Sequence, residues 1–218
     1  MINPHSPTDF NRPLIALQEF LLFTICVVGK NAEQQAVKLD AILRDLEAAF
    51  VTAERPRHDH FARIRDYPLR VLLLMRQHKL GKYTLLAQAF DYASRSWGLK
   101  LAEVSCEALI KCPGISLKTA KFFLLHSRAN STCIPIDTYV LQFLRRRFPK
   151  APLPKSSPQD PAHYAWVEAL FLAECWRLGV PPYKADITCW RSKGMTINPK
   201  ELENFERPIA EAFKSAAQ

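Results

Sequence analysis

The sequence of 218 residues has only 6 glycines and no pair of cysteines in a CxxC arrangement. Scarce glycine beside abundant leucine and alanine favours helices over sheets. The six cysteines lie in apolar, helical-looking segments, which is typical of reduced thiols in an intracellular core. Long hydrophobic runs are also missing, because the most apolar stretch, "FLLFTICVVG", covers about ten residues and is too short to span a bilayer.

Acidic residues are too few to balance the basic ones. Lys plus Arg number 30 and Asp plus Glu number 21, which gives a formal net charge of +9. A basic surface indicates a polyanionic partner, because each Lys or Arg placed near a phosphate releases condensed counterions. Charge alone does not separate DNA from RNA or from an anionic membrane. The start of the chain, "MINPHSPTDFNRP", lacks the pattern of a signal peptide, so we expect an intracellular protein.

Apolar positions recur at helical spacing through most of the chain, and no segment is convincing as a strand, which predicts an all-α fold. Helices are expected over 14–28, from 31 onward, and over 68–78, 83–97, 101–111, 117–126, 137–148, 161–178 and from 198. Asp160, Pro161 and Gly179 give one of them a cap, a first-turn proline and a terminating glycine. The polar segment "AERPRHDH" predicts a surface loop, with His58 and His60 as loop residues rather than metal ligands.

The segment "CPGISLKTA" at 112–120 predicts a tight turn between two helices. Pro113 ends the first helix, and Gly114 can adopt a positive φ that other residues resist. Backbone amides from Gly114, Ile115 and Ser116 and from the start of the next helix are expected to face a phosphate oxygen. From these residues alone, an ordinary helix–helix corner and a phosphate-binding hairpin are equally supported.

A second motif, "IPIDTYV" at 134–140, places Asp137 at the start of a helix. In their order and spacing, the two motifs resemble the "LPGhGxKTA" hairpin and the "hxhDTHh" element of the helix-hairpin-helix DNA glycosylase superfamily. That superfamily includes endonuclease III and 8-oxoguanine DNA glycosylase, and the resemblance extends more loosely over 14–147. It implies two helical lobes with a catalytic groove between them: a barrel lobe over 13–128, with the hairpin at about 101–128, and a second lobe from 1–12 plus 129–218.

Position by position, the resemblance makes Lys118 the catalytic lysine and Asp137 the catalytic aspartate. It implies a bifunctional DNA glycosylase and AP lyase that excises an oxidised or otherwise modified base. In such an enzyme Asp137 stabilises positive charge at the sugar C1′, and the Lys118 amine forms a Schiff base that permits β-elimination. Because lysine in water has a pKa of about 10.4, the site has to favour the neutral amine.

Three positions depart from the superfamily pattern. Cys112 replaces a leucine, Ser116 the second glycine and Tyr139 a histidine. The serine still offers its amide, so the hairpin is expected to persist if its φ is not extreme. The iron–sulfur cluster of endonuclease III requires four cysteines, and only Cys175 and Cys189 lie in the corresponding region, so we expect no cluster, no metal and no other cofactor.

Other basic and polar residues are candidate DNA contacts, and each has a simpler alternative role. Lys121 either contacts a phosphate, carries a solvated charge, or is the nucleophile in place of Lys118. Arg145 and Arg146, within "LRRRF", contact the backbone or form a solvated face. Asn31 fills the gap left by the extruded base or caps the second helix. For Lys118 the simpler alternative to a catalytic role is contact with a phosphate.

Aromatic residues on the helix over 161–178 are assigned to the core rather than to a base-stacking platform. These residues are Trp166, Phe171 and Trp176. The expected partner is double-stranded DNA containing a lesion or an abasic site, bound by a monomer with no membrane association. The expected location is the cytoplasm, at the nucleoid if the source is bacterial or archaeal. A non-catalytic helix-hairpin-helix DNA-binding protein is the alternative, and it has no need of the Lys118–Asp137 pair.

Overall fold

The computed structural model describes residues 1–48 and 59–197, and within these ranges it contains helices and no strand. The α-helices are α1 (Leu14–Cys26), α2 (Ala32–Ala48), α3 (His60–Asp66), α4 (Pro68–Gln77), α5 (Tyr83–Ser96), α6 (Cys106–Leu109), α7 (Leu117–Ser127), α8 (Thr138–Arg147), α9 (Pro161–Leu178) and α10 (Pro182–Arg191). A 3-10 helix, Gly98–Glu103, lies between α5 and α6. The all-α prediction is confirmed. Contacts divide the chain into two compact units, Met1–Ala129 and Asn130–Gln218.

In the first unit, α1 is the central helix and is buried along most of its length. Its sequence is apolar on almost every side, and a helix of that kind has to be surrounded by other elements. It packs against α2, α3, α5, α7 and the 3-10 helix. The fully buried Phe20 has its ring centroid 5.7 Å from that of Phe123 on α7. This packing fixes α7, which carries Lys118, to the core of the unit.

Residues 1–12 group with the first unit, whereas the resemblance assigned them to the second lobe. The Asp9 amide donates to the carbonyl oxygen of His126 over 3.1 Å, and Thr8 Oγ1 lies 2.7 Å from Nδ1 of the same buried histidine. The Arg12 guanidinium lies 4.0 Å from the centroid of the Phe20 ring. These contacts tie the N-terminal segment to α1 and α7.

The single helix predicted over 101–111 is wrong. The chain instead forms the 3-10 helix up to Glu103, becomes extended at Val104 with φ −60° and ψ 131°, and restarts as the short α6. Ser105 causes the restart, because its side chain accepts a hydrogen bond from the Ala108 amide over 3.2 Å. A serine that caps a new helix competes with continuation of the old one.

The predicted loop at 53–60 lies outside the described residues except for its last two positions. Asp59 is the extended N-cap of α3 and accepts from the Ala62 amide over 2.8 Å, so the helix begins at the last residue of the predicted loop. His60 is 9% exposed and belongs to that helix, so it is a buried residue rather than a loop residue. Burial is the main cause that lowers the pKa of His60. His58 and the helix predicted from Asn198 lie outside the described residues.

The second unit is built from α8, α9 and α10, which pack against one another. Helix α9 has the predicted boundaries: Asp160 accepts from the His163 amide over 2.7 Å, Pro161 follows, and Gly179 ends the helix with φ +65°. Phe171 is fully buried, as predicted, and its ring lies edge-on to that of Phe143 at 5.9 Å.

Two tryptophans of α9 were assigned to the core, and that prediction is wrong. Trp166 is 38% exposed and Trp176 is 73% exposed. Only one face of α9 is buried, through Tyr164, Val167, Phe171, Glu174 and Cys175, and the two tryptophans lie outside that stripe. Aromatic identity alone does not determine which face of a helix is covered.

Candidate functional site

The turn between α6 and α7 is short and internally hydrogen-bonded. The Cys112 amide donates to the Leu109 carbonyl over 3.0 Å, and the Ile115 amide donates to the Cys112 carbonyl over 3.1 Å. Gly114 has φ +79°, and a Cβ at that position would lie 3.2 Å from Cδ2 of Leu85. Both the backbone conformation and the neighbouring leucine therefore favour glycine at 114.

Ser116 occupies its position without backbone strain. Its φ of −86° and ψ of 168° are extended values that any residue adopts. It is the N-cap of α7, since its Oγ accepts from the Thr119 amide over 3.3 Å and lies 3.0 Å from the Thr119 hydroxyl. The serine in place of the second glycine is therefore compatible with the turn and adds a cap.

Several backbone amides at this helix start have no acceptor within the described part of the chain. They belong to Gly114, Ser116, Leu117 and Lys118. The Ile115 amide is not among them, because it donates within the turn, and its side chain is buried. Unpaired amides at a helix N-terminus, together with the helix dipole, favour an anion. The turn has the donors that a phosphate oxygen requires.

Lys118 and Lys121 differ in their surroundings on α7. Lys118 is the second residue of the helix and is half-buried. Within the described residues its ammonium makes no hydrogen bond and no ion pair. Lys121 is half-buried one turn later, close enough to Glu107 to act on its carboxyl group. Hydrogen bonds from the Glu107 backbone and the Ser105 hydroxyl lower the pKa of Glu107, and the Lys121 charge adds to that effect.

In the second unit, Asp137 is the N-cap of α8, as predicted. Its Oδ1 accepts hydrogen bonds from the amides of Tyr139 and Val140, both at 2.8 Å. The cap uses this one carboxylate oxygen. Because two amides of the helix hold it, the orientation of the carboxylate is set by the backbone of α8.

Two side chains of α9 that the sequence analysis missed hold the segment leading to Asp137. The Tyr164 hydroxyl donates to the Ile134 carbonyl and accepts from the Ile136 amide, both over 2.8 Å. Glu168 Oε1 accepts from the Ile134 amide over 2.7 Å. The backbone of this buried segment is thus satisfied by side chains rather than by a helix or sheet. Tyr164 and Glu168 lie four residues apart on α9, but nothing local indicates their distant partners.

A turn after α10 closes on the first turn of α8. Gly194 has φ +73°, and a Cβ there would lie 2.5 Å from the Tyr139 carbonyl oxygen and 2.8 Å from Cβ of Gln142. The Ser192 hydroxyl donates to the Thr196 carbonyl over 2.8 Å and closes the turn. The backbone of this turn therefore lies directly against the helix that Asp137 caps.

The three consecutive arginines of α8 have different environments. Arg145 is half-buried and donates to the Pro154 carbonyl. Arg146 is exposed and contacts Sδ of Met195. Arg147 donates from Nε to Oε2 of Glu174 over 2.9 Å. Of these two arginines Arg146 is the more exposed, and a role for either in DNA binding stays a prediction.

Asn31 caps α2, because its Oδ1 accepts from the Gln34 amide over 2.9 Å. This bears out the capping role, and filling of a base gap stays a prediction. The described residues include no group of three or more His, Cys, Asp and Glu side chains suited to a metal ion. None of the described helices combines the length and the apolar character that crossing a membrane requires.

Lys118 and Asp137 belong to different units of the chain. Each is placed at a helix start: Lys118 just after a turn with unpaired amides, and Asp137 as a cap. Their joint role in one reaction stays a prediction. No protein-family model matches the chain, and no curated protein sequence matches it.

Proposed function

We propose that this protein is a bifunctional DNA glycosylase and AP lyase with the two-lobed fold of the helix-hairpin-helix glycosylases. The observation that carries the proposal is the placement of both motif residues at helix starts. Lys118 follows the glycine-containing turn on α7, and Asp137 caps α8. A protein that only binds DNA needs the turn, but it needs neither the lysine nor the aspartate.

The turn at 112–118 is proposed to bind a phosphate of the DNA backbone. Its unpaired amides at Gly114, Ser116, Leu117 and Lys118 support this role, and so does the net charge of +9. Fixing one phosphate at the start of α7 brings a neighbouring sugar within reach of a side chain on the first turn of that helix. The proposed substrate is duplex DNA with an oxidised base, which is the substrate class of lysine-bearing members of the superfamily.

In the proposed reaction the neutral Lys118 amine attacks C1′ of the damaged nucleotide. The bond between C1′ and the base breaks, its electron pair leaves on the base, and the base takes up a proton. The Asp137 carboxylate stabilises the positive charge that develops at C1′. Opening of the sugar ring gives an imine between Lys118 Nζ and C1′. Loss of a C2′ proton then cleaves the C3′–O bond, the 3′ phosphate departs, and water hydrolyses the imine.

Borohydride trapping on duplex DNA with an abasic site tests this proposal. We expect a covalent adduct with the wild-type protein and none with Lys118→Ala. Lys121→Ala is the matched control, since it removes a lysine one turn away on the same helix, and it should still give an adduct. If Lys118→Ala still forms the adduct and Lys121→Ala does not, the nucleophile is Lys121.

The second candidate is a non-catalytic DNA-binding protein, and the unpaired amides of the turn are the observation that favours it. DNA binding and borohydride trapping, measured on the same wild-type preparation, distinguish the two candidates. If the wild-type protein binds duplex DNA but forms no adduct on any abasic substrate, the catalytic proposal is wrong and the binding function stands.

A further inference from the structure

A cavity of about 310 Å³ lies in the first unit, where α1, α2 and α3 pack together. Each helix contributes residues mostly three or four positions apart, which places them on one face of that helix. The lining residues are Ile15 and Glu19 of α1, Asp40, Leu43, Arg44 and Glu47 of α2, and His60 and Arg63 of α3. The described walls of the cavity therefore come from three packed helices, and its volume is that of a small-molecule site.

Arg63 is a buried cation whose hydrogen-bonding capacity is largely unused. It is 6% exposed. Within the described residues its guanidinium makes one hydrogen bond, from NH2 to Oε1 of Glu47 over 3.2 Å, although a guanidinium carries five N–H donors. A buried charge is expected to be paired and hydrogen-bonded, because its desolvation otherwise costs folding free energy. The remaining donors of Arg63 therefore favour an acceptor that enters the cavity.

His60 is the second buried polar residue of the cavity, and it also has an unused hydrogen-bonding atom. The residue is 9% exposed, and its Nδ1 has no partner in the part of the chain that the structure describes. Burial is the largest cause that lowers the pKa of His60, so the imidazole is neutral at neutral pH and offers one N–H donor. His60 and Arg63 lie three residues apart on α3, so one ligand can contact both.

The carboxylates of the cavity already have cationic partners. Arg44 NH2 lies 2.9 Å from Oδ2 of Asp40. The Met1 ammonium lies 3.2 Å from Oε1 of Glu19 and 3.3 Å from Oδ1 of Asp40. The unused capacity of the most buried groups is therefore mainly that of donors, which suits an anion. The cavity is also lined by three carboxylates, and these oppose a ligand with more than one negative charge.

We propose that this cavity binds a small organic monocarboxylate with an apolar body. The ligand carboxylate accepts from the guanidinium of Arg63, for which two parallel N–H···O bonds are the favoured geometry, and from the imidazole of His60. The apolar body lies against Ile15 and Leu43, which line the same cavity. The proposal goes beyond the DNA chemistry proposed above, because none of the lining residues belongs to α6, α7 or α8.

Isothermal titration calorimetry of the full chain with straight-chain monocarboxylates, from acetate to octanoate, tests the proposal. Each added CH₂ should lower the Kd roughly fourfold until the cavity is filled. Hexanamide and hexylamine are the matched ligands for hexanoate, because they keep the chain and replace the carboxylate. We expect both to bind at least about tenfold more weakly than hexanoate. The proposal is overturned if none of the acids binds saturably, or if hexanamide or hexylamine binds as tightly as hexanoate.

A pair of substitutions on α3 tests the role of the guanidinium. Arg63→Lys keeps the charge but removes the planar fork of donors, so it should weaken hexanoate binding about tenfold. Arg65→Lys is the matched control, because Arg65 lies on the same helix with a side chain 46% exposed and is not among the residues that line the cavity. Its Kd for hexanoate should equal that of the wild type. Equal Kd values for the two variants contradict the proposal.

The wild-type chain gives a measurement that does not depend on how a variant folds. In methyl-labelled protein, hexanoate should shift the NMR signals of Ile15 and Leu43 saturably, with the Kd found by calorimetry. The signals of Leu99, which is 81% exposed on the 3-10 helix, should stay in place. Equal shifts at Leu99 and Leu43 would show general binding to apolar surface, and the proposal is then wrong. Because no DNA is present, this outcome is independent of the catalytic proposal.

Discussion

Asp137 has a structural role, capping α8, and a proposed chemical role, and a single pair of substitutions separates them. Asparagine is as good an N-cap as aspartate, so Asp137→Asn should change the unfolding free energy by less than about 0.5 kcal/mol. Asp137→Ala removes the acceptor of the Tyr139 and Val140 amides and should cost about 1 kcal/mol. Both remove the carboxylate charge that is proposed to stabilise C1′, so on that proposal both should slow base excision by roughly 10²–10³-fold.

Urea unfolding and single-turnover excision measure the two effects on the same proteins. If Asp137→Asn excises the base as fast as the wild type, the carboxylate has no role beyond capping. The same conclusion follows if only Asp137→Ala slows excision and the slowing matches its loss of stability.

At the scale of elements, the turn after α10 depends on Gly194. Gly194→Ala forces a Cβ to within 2.5 Å of the Tyr139 carbonyl oxygen, and neither backbone can move without distorting α8. We expect a loss of about 3 kcal/mol or more in unfolding free energy, beyond the roughly 1 kcal/mol that a left-handed conformation costs alanine. Gly179→Ala is the matched control, because Gly179 has φ +65° and nothing within 4 Å of an added Cβ. Similar losses at the two glycines, measured by urea unfolding, contradict the close packing of this turn.

Tyr164 couples α9 to the segment that leads into Asp137. Tyr164→Phe keeps the buried ring but leaves the Ile136 amide and the Ile134 carbonyl without their partner. The expected cost is about 1–3 kcal/mol in stability. Because the freed segment also sets where Asp137 lies, we expect single-turnover excision to slow while the Kd for duplex DNA stays constant. A change in Kd with an unchanged rate would show that Tyr164 does not position the carboxylate.

The elements that the sequence predicted well are those whose signals are local. Helices α8 and α9 are capped by Asp137 and Asp160, and each aspartate accepts from amides only two or three residues ahead. The helix predicted over 101–111 is wrong because the capping bond of Ser105 starts a new helix in spite of the apolar spacing around it. Tyr164 was missed because its partners, Ile134 and Ile136, lie far from it along the chain.

Because basic residues are in excess over the whole molecule, the few buried carboxylates that pair with them are important for its stability. Glu174 is 3% exposed on α9, between Arg147 of α8 and Arg177 of its own helix. Arg147 Nε and Arg177 NH2 both lie 2.9 Å from Oε2 of Glu174. One carboxylate thus pairs with two of the arginines on the second unit.

Acid should therefore destabilise the second unit through Glu174. Burial alone would raise the pKa of Glu174, but hydrogen bonds and charge from Arg177 and Arg147 outweigh it and lower the pKa. A carboxyl group whose folded pKa is lowered contributes its full stabilisation above its unfolded pKa of about 4.3. That stabilisation is lost as the pH falls through the folded value. Since both arginines are about half exposed, we expect the loss to be about 1–2 kcal/mol.

Hydrogen exchange of peptides from α8 and α9, measured under denaturant between pH 3 and 6 (a window set about the unfolded pKa of roughly 4.3), resolves this effect from unfolding of the first unit. Glu174→Gln should be less stable than the wild type at the upper end of this range and should lose less stability on acidification. Glu33→Gln is the control, because Glu33 is 62% exposed in its pair with His5 and should leave the second unit unchanged. If Glu174→Gln keeps the full acid dependence of α8 and α9, other carboxylates cause it, and the pairs with Arg147 and Arg177 contribute little to the stability of the molecule.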